Sequence, residues 1–184
     1  MKKKILFIGA SAGGPSLIKE LLKSITTLGC SVVIAQHMKE EVLPLFINDL
    51  AENVSIDLVA TPIKIDFSLP SVIVCSSSTI IRKEASSYIF ERDSTNQCYT
   101  PDINKLLNSF VPYASEFEIS IFIMTGIGCD GVDGAKNLKE LGAKVYVQDE
   151  ESSPVYGMPK AALESGIADG ILTFSEFKNY IQSF

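Results

Sequence analysis

The chain lacks the features that mark several functional classes. It holds one histidine, His37, in 184 residues, so any imidazole chemistry has a single candidate. Basic charge is scarce: 16 Lys and Arg stand against 22 Asp and Glu, giving a net charge of −6. The sequence pI is about 4.8. Nucleic-acid binders displace counterions with a basic surface, so that class is disfavoured. No apolar run approaches the roughly 20 residues that span a bilayer, which argues against membrane insertion. The run Ile5 to Ala10 is too short for a signal-peptide core. Four cysteines (Cys30, Cys75, Cys98 and Cys129) form neither a CxxC pair nor a zinc spacing. That usage fits a reducing, cytoplasmic compartment. Repeats, long linkers and low-complexity segments are also missing. Lys2, Lys3 and Lys4 form a brief charge cluster that reads as a solvated strand entrance.

What remains is a chain able to bury a core. It suits one domain, 46% of its residues are hydrophobic, and its mean hydropathy is +0.23. Short β-rich runs alternate with helical patterns. Strands are expected at Ile5–Ala10, Ser31–Gln36, Ile56–Ala60, Ser71–Cys75, Ile119–Met124, Lys144–Gln148 and Gly170–Leu172. Helices are expected from Pro15 to about Thr27, over Glu41–Glu52, from Pro101, from about Gly131 to Leu141, from Pro159, and over Ser175–Gln182. In the second helix, Val42, Leu45, Phe46 and Leu50 share a face. In the third, Ile103, Leu106, Leu107 and Phe110 are the apolar positions. Residues 79–100 read as a β-hairpin or an irregular insertion. The β-α-β-α order implies an α/β fold, doubly wound, with a mostly parallel sheet covered by helices on both faces.

Sites in such sheets gather beyond the carboxyl ends of the strands. Three segments fall there. The first is Gly9-Ala10-Ser11-Ala12-Gly13-Gly14-Pro15. Small residues surround Ser11, and the helix that follows offers free N–H groups to a developing oxyanion. The bland alternative makes Ser11 a helix N-cap. A dinucleotide fingerprint fails here, because Ser11 stands at its second glycine and no acidic residue follows the next strand. The second segment is Gln36-His37-Met38. If the first two strands are neighbours, Ser11 and His37 project into one crevice, and imidazole is the natural base for a serine nucleophile.

The third is Thr125-Gly126-Ile127-Gly128-Cys129-Asp130-Gly131. It matches G-x-G-x-x-G, and Asp149 and Glu150 lie about 20 residues on, so a nucleotide-binding module is a competitor. Against that, Asp130 would repel pyrophosphate, whereas as a triad acid it would orient His37. Asp149 and Asp133 are fallback acids, Asp133 being more simply a solvated residue of a first helical turn. Cys129 reads as packing, since a neighbouring aspartate disfavours its thiolate.

With these segments in hand, the sequence resembles the catalytic domain of the CheB family, the chemotaxis-receptor or protein-glutamate methylesterases. The matching strings are IGASAGGP (Ile8 to Pro15), QHM (Gln36 to Met38), MTGIGCDG (Met124 to Gly131) and YGMP (Tyr156 to Pro159), in the family's order and over nearly the whole chain. The resemblance implies a triad of Ser11, His37 and Asp130, with neither metal nor organic cofactor. Its partners would be the methylated cytoplasmic helices of chemoreceptors, and some members also deamidate receptor glutamines. Loop placement adds backbone N–H groups near Ala12 and Ile127 as oxyanion donors. Two departures stand out. Residues 1–184 read as a methylesterase domain without the phospho-receiver module usual in the family. Thr100-Pro101-Asp102-Ile103-Asn104 stands where the family commonly has Arg-Pro-Ser-x-Asp. A third class, an inactive domain that only docks on receptors, also fits the pattern. Oligomeric state is not set by the sequence.

Overall fold

A computed structural model describes residues 2–25, 27–50, 62–75, 77–93 and 99–184, and the backbone of 56–59. The chain starts with β1 (Lys3–Ala10), α1 (Gly14–Lys23), β2 (Ser31–Gln36), α2 (Leu43–Leu50) and β3 (Ile56–Val59). Next come β4 (Ile63–Ile65), β5 (Val72–Cys75), β6 (Thr79–Glu84), β7 (Ser87–Arg92) and α3 (Ile103–Phe110). A 3-10 helix (Val111–Glu116) leads to β8 (Phe117–Ile123), α4 (Val132–Lys139), β9 (Lys144–Gln148), α5 (Gly157–Glu164), β10 (Gly170–Leu172) and α6 (Phe174–Ser183).

Seven strands form one sheet in the order β10-β9-β8-β1-β2-β5-β3, and every neighbouring pair in it is parallel. Parallel strands need crossovers, and the helices supply them on both faces. Alternate residues of β1 separate the two cores. Leu6 and Ile8 pack with Ile18 and Leu21 of α1, Phe46 of α2 and Phe177 of α6. Ile5 and Phe7 pack with Leu107 and Phe110 of α3, Leu138 of α4 and Met158 of α5. The fold is therefore α/β and doubly wound, as the sequence pattern predicts. The chain runs outward from β1 through β2 to β5, then restarts on β1's other side at β8. The switch point lies between β1 and β8, where an open parallel sheet leaves a crevice at its carboxyl edge.

The expected hairpin is present as β6 and β7, but it is part of a three-stranded antiparallel sheet whose third member is β4. Three residues of Ile-Lys-Ile were too short to signal a strand alone. Helix α1 stops at Lys23, short of the expected Thr27; Ser24 ends it, and its Oγ donates to Leu21 O. Helix α2 starts at Leu43 rather than at the expected Glu41; its buried arc is Leu43, Phe46 and Leu50, whereas Val42, just before it, and Leu45 are 46% and 70% exposed. The stripe is rotated toward Leu43, which places Leu45 on the far side. Helix α3 opens on Asp102, whose side chain accepts from Lys105 N at 2.8 Å, rather than on Pro101. Helix α5 begins at Gly157, two residues before the expected Pro159. The expected ends at Glu52 and Ala60 lie outside the described residues.

Candidate active site

Ser11 follows β1 directly. The turn is enforced by Gly13, at φ +83, a left-handed position where a Cβ would stand 2.8 Å from Pro154 Cβ. Gly13, not Ser11, is the N-cap of α1, and no side chain caps that helix. The bland role for Ser11 is thereby removed. Its N–H donates to Thr125 O at 2.9 Å, and its O accepts from Gly14 N at 3.0 Å. Gly126 lies under it: a Cβ there would stand 2.6 Å from Ser11 Cβ. The Ser11 hydroxyl is half-buried and forms no hydrogen bond among the described residues. The N–H groups of Ala12 and Ile127 are likewise unbonded among the described residues. They belong to the loops that carry Ser11 and Asp130.

His37 follows β2, the neighbour of β1, with Gln36 paired to Ala10. Its N–H donates to Ala10 O at 2.9 Å. Buried Gln36 ties the two strand ends together, its Nε2 donating to Ser11 O at 2.8 Å and to His37 O at 2.9 Å. The His37 ring is 12% exposed, and its Nε2 lies 2.8 Å from Asp130 Oδ2. A carboxylate accepts, so Nε2 carries the proton and Nδ1 keeps its lone pair. One face of the ring is covered by Tyr99, stacked at 5.0 Å between centroids and 7° between planes.

Asp130 is 1% exposed. Its carboxylate also accepts from Ile103 N at 2.8 Å and Asn104 N at 3.0 Å. These are first-turn N–H groups of α3, which have no partner within the helix. With Asp102 holding Lys105 N, the helix start is satisfied and the acid is locked in place. Among the described residues no group of three or more His, Cys, Asp or Glu could hold a metal ion, and no helix is long and apolar enough to cross a membrane.

Comparison with known proteins places the chain in a family. The model described as CheB methylesterase matches residues 6–181. The chain belongs to the CheB methylesterase family. A protein-glutamate methylesterase/protein-glutamine glutaminase of Anaeromyxobacter dehalogenans is 32% identical over 175 residues, covering 92% of this chain and 48% of that protein. One from Geobacter sulfurreducens is 29% identical over 182 residues, 95% of this chain and 50% of its own. The chain thus spans about half the length of the curated relatives it matches. The CheB methylesterase catalytic domain of Thermotoga maritima superposes with a TM-score of 0.88 at 22% identity, covering 100% of this chain and 99% of that one. At that identity the likeness speaks for the fold.

Within this CheB-family chain, the structure joins His37 to Asp130 directly and brings Ser11 to the adjoining strand end without a hydroxyl–imidazole hydrogen bond. The fallback acids stand elsewhere. Asp133 is exposed on α4, and Asp149 accepts from Ser152 Oγ. The glycines at 126–131 serve close packing rather than an anion cradle. Gly126 N donates to Val155 O at 2.8 Å, Gly126 O accepts from Met158 N at 2.8 Å, and Gly131, at φ +94, abuts Ile103. Cys129, read from the sequence as packing, is exposed. The buried thiols are Cys30 and Cys75, which burial pushes up to about 11 and about 12. Cys98 lies outside the described residues. The divergent segment 100–104 is put to structural use: Asp102 caps α3 and Asn104 Oδ1 accepts from Gly134 N at 2.8 Å.

Sequence reasoning gave Gln36 no role of its own and missed Tyr99 and the α3 N-terminus. A signal existed for the last, since Pro101-Asp102 marks a helix start and such starts hold carboxylates. Thr125 was also missed as a clasp. Its N–H donates to buried Gln148 Oε1 at 2.9 Å, its Oγ1 donates to Ala12 O at 2.8 Å, and Oγ1 accepts from Val155 N at 2.9 Å.

Proposed function

We propose that residues 1–184 form the catalytic unit of a protein-glutamate methylesterase that acts in the cytoplasm on methylated chemoreceptor helices through Ser11, His37 and Asp130. The observation that carries this reading is the 2.8 Å contact between the only imidazole in the chain and a fully buried carboxylate, at the strand end beside Ser11. With Nε2 held by Asp130, Nδ1 is the base. It removes the Ser11 hydroxyl proton as Oγ bonds to the ester carbonyl carbon. The N–H groups of Ala12 and Ile127 receive the oxyanion. The carbon–methoxy bond breaks as the imidazolium gives its proton to the departing methoxy oxygen, and methanol leaves. Water, deprotonated by the same nitrogen, then cleaves the glutamyl–serine ester and restores the hydroxyl. The amide of a glutamine side chain follows the same route with ammonia leaving. Both substrates yield glutamate.

The absence of a Ser11–His37 hydrogen bond accords with sites whose catalytic contacts tighten only on substrate binding. Asp130 holds the tautomer and opposes the charge that His37 gains in each step. The test is methanol release from methylated receptor helices. Ser11→Ala and His37→Gln both reduce it to background while the fold persists by circular dichroism. Undiminished release from Ser11→Ala removes the serine from the mechanism.

A further inference from the structure

Asp130 does not by itself fix the plane of the His37 ring. It holds the Nε2 edge, which lies close to the Cβ–Cγ axis, and rotation about that axis tilts the ring while bending one hydrogen bond. The torsion at this bond in histidine is broad and shallow. Nδ1, the atom that must meet the Ser11 hydroxyl, moves with the tilt. Tyr99 supplies the missing restraint: its ring lies 7° from parallel to the imidazole, at 5.0 Å between centroids. That is the geometry of an offset aromatic pair.

Tyr99 is itself held from two directions. Its hydroxyl lies across Gly128, where a Cβ would stand 3.1 Å from the oxygen; Gly128 has φ +93, so neither side chain nor strain obstructs the phenol. The next residue, Thr100, accepts at O from Met38 N at 3.1 Å, binding this segment to the residue after His37. The phenol thus spans the space between the base and the loop carrying Asp130. It is 36% exposed, too open for a core role.

We propose that Tyr99 is a positioning residue: its ring sets the plane of His37 so that Nδ1 addresses Ser11, and its π face favours the imidazolium formed in each proton transfer. The proposal rests on the methylesterase reading for its kinetic arm only. The stack itself is read without substrate.

Because the chain has one histidine, the carbon-bound imidazole protons of the full chain give a single unambiguous set of NMR signals. In Tyr99→Leu these signals lose the ring-current shift of the phenol and move downfield; in Tyr99→Phe they stay. In methanol-release assays Tyr99→Leu lowers kcat about ten- to a hundredfold with KM nearly unchanged, because a misplaced base hinders the transition state rather than binding. Tyr99→Phe, which keeps the ring and loses only the hydroxyl, restores kcat to within about threefold. Imidazole signals that do not move in Tyr99→Leu overturn the proposal. So does a Tyr99→Leu enzyme with unchanged kcat, or a loss confined to KM, which would make Tyr99 a substrate contact.

Discussion

The two edges of the seven-stranded sheet are built on opposite principles. At the carboxyl edge, buried polar side chains (Gln36, Thr125, Asp130 and Gln148) have hydrogen-bond partners drawn from different loops. Glycines let those loops touch: Gly126 meets Ser11, Gly131 meets Ile103, and Gly14 packs against Gln36 and Ala10. At the amino edge, a cavity of about 830 Å³ opens among Lys2–Lys4, Gly29–Ser31 and Phe117–Ile119. Two of its charges are answered locally: Lys3 Nζ lies 3.7 Å from Asp66, and Lys4 Nζ donates to Phe184 O at 2.6 Å. None of Ser11, His37 and Asp130 lines that cavity. What marks the carboxyl edge is convergence, with a hydroxyl, an imidazole and a carboxylate delivered by three neighbouring strand ends around the switch point.

That contrast can be broken at several places. The largest effect belongs to Asp130→Asn. An amide keeps the volume but offers His37 a different hydrogen-bonding pattern, so the other tautomer is favoured and kcat falls about 10³- to 10⁴-fold. Wild-type turnover in this variant would detach the acid from the mechanism. Gly126→Ala comes next. Its methyl group would stand 2.6 Å from Ser11 Cβ and would meet Met158 Sδ, so either the serine or α5 must move. We expect about a hundredfold loss of kcat and about 1–3 kcal/mol of stability, read by kinetics and urea unfolding.

Gln36→Leu keeps the bulk and removes both Nε2 bonds. Since Gln36 Oε1 has no partner, only the donor is lost. Unfolding should cost about 1–3 kcal/mol less, from a carbonyl left dry. Turnover should fall about tenfold as the serine and histidine strand ends lose their tie. The smallest effect tests the other edge. Lys3→Ala removes a solvent-exposed ion pair with Asp66, so the urea unfolding midpoint stays close to that of the wild type. Methanol release stays as in the wild type. A large kinetic loss there would erase the distinction between the edges.

Most of the architecture was legible because periodicity reports burial directly. β2 is six buried residues in a row, and β9 and β10 have the bounds their apolar runs mark. The two-residue error at α5 and the rotated stripe of α2 have a common cause: helix ends and flanks are set by tertiary contacts. Gly157 could start a helix because Met158 N finds Gly126 O, a residue 32 positions earlier. The placement of the candidate site was legible where chemistry constrains residue type, as with the lone histidine and the serine in a glycine turn, which do stand at neighbouring strand ends. It was illegible where side chains are held by neighbours distant in sequence. Nothing near Tyr99 announces that it stacks on residue 37, and nothing near Asn104 says that its N–H holds residue 130. Pairings of that kind belong to the fold and not to any local string.

The central claim is that a single imidazole, held by Asp130, activates Ser11. Stoichiometric labelling of the full chain with a fluorophosphonate, located by peptide mass spectrometry, tests it most directly. The account predicts one label per chain, on Ser11, and a labelling rate that collapses in His37→Gln. Labelling on another residue, or an undiminished rate at Ser11 without the imidazole, would contradict it.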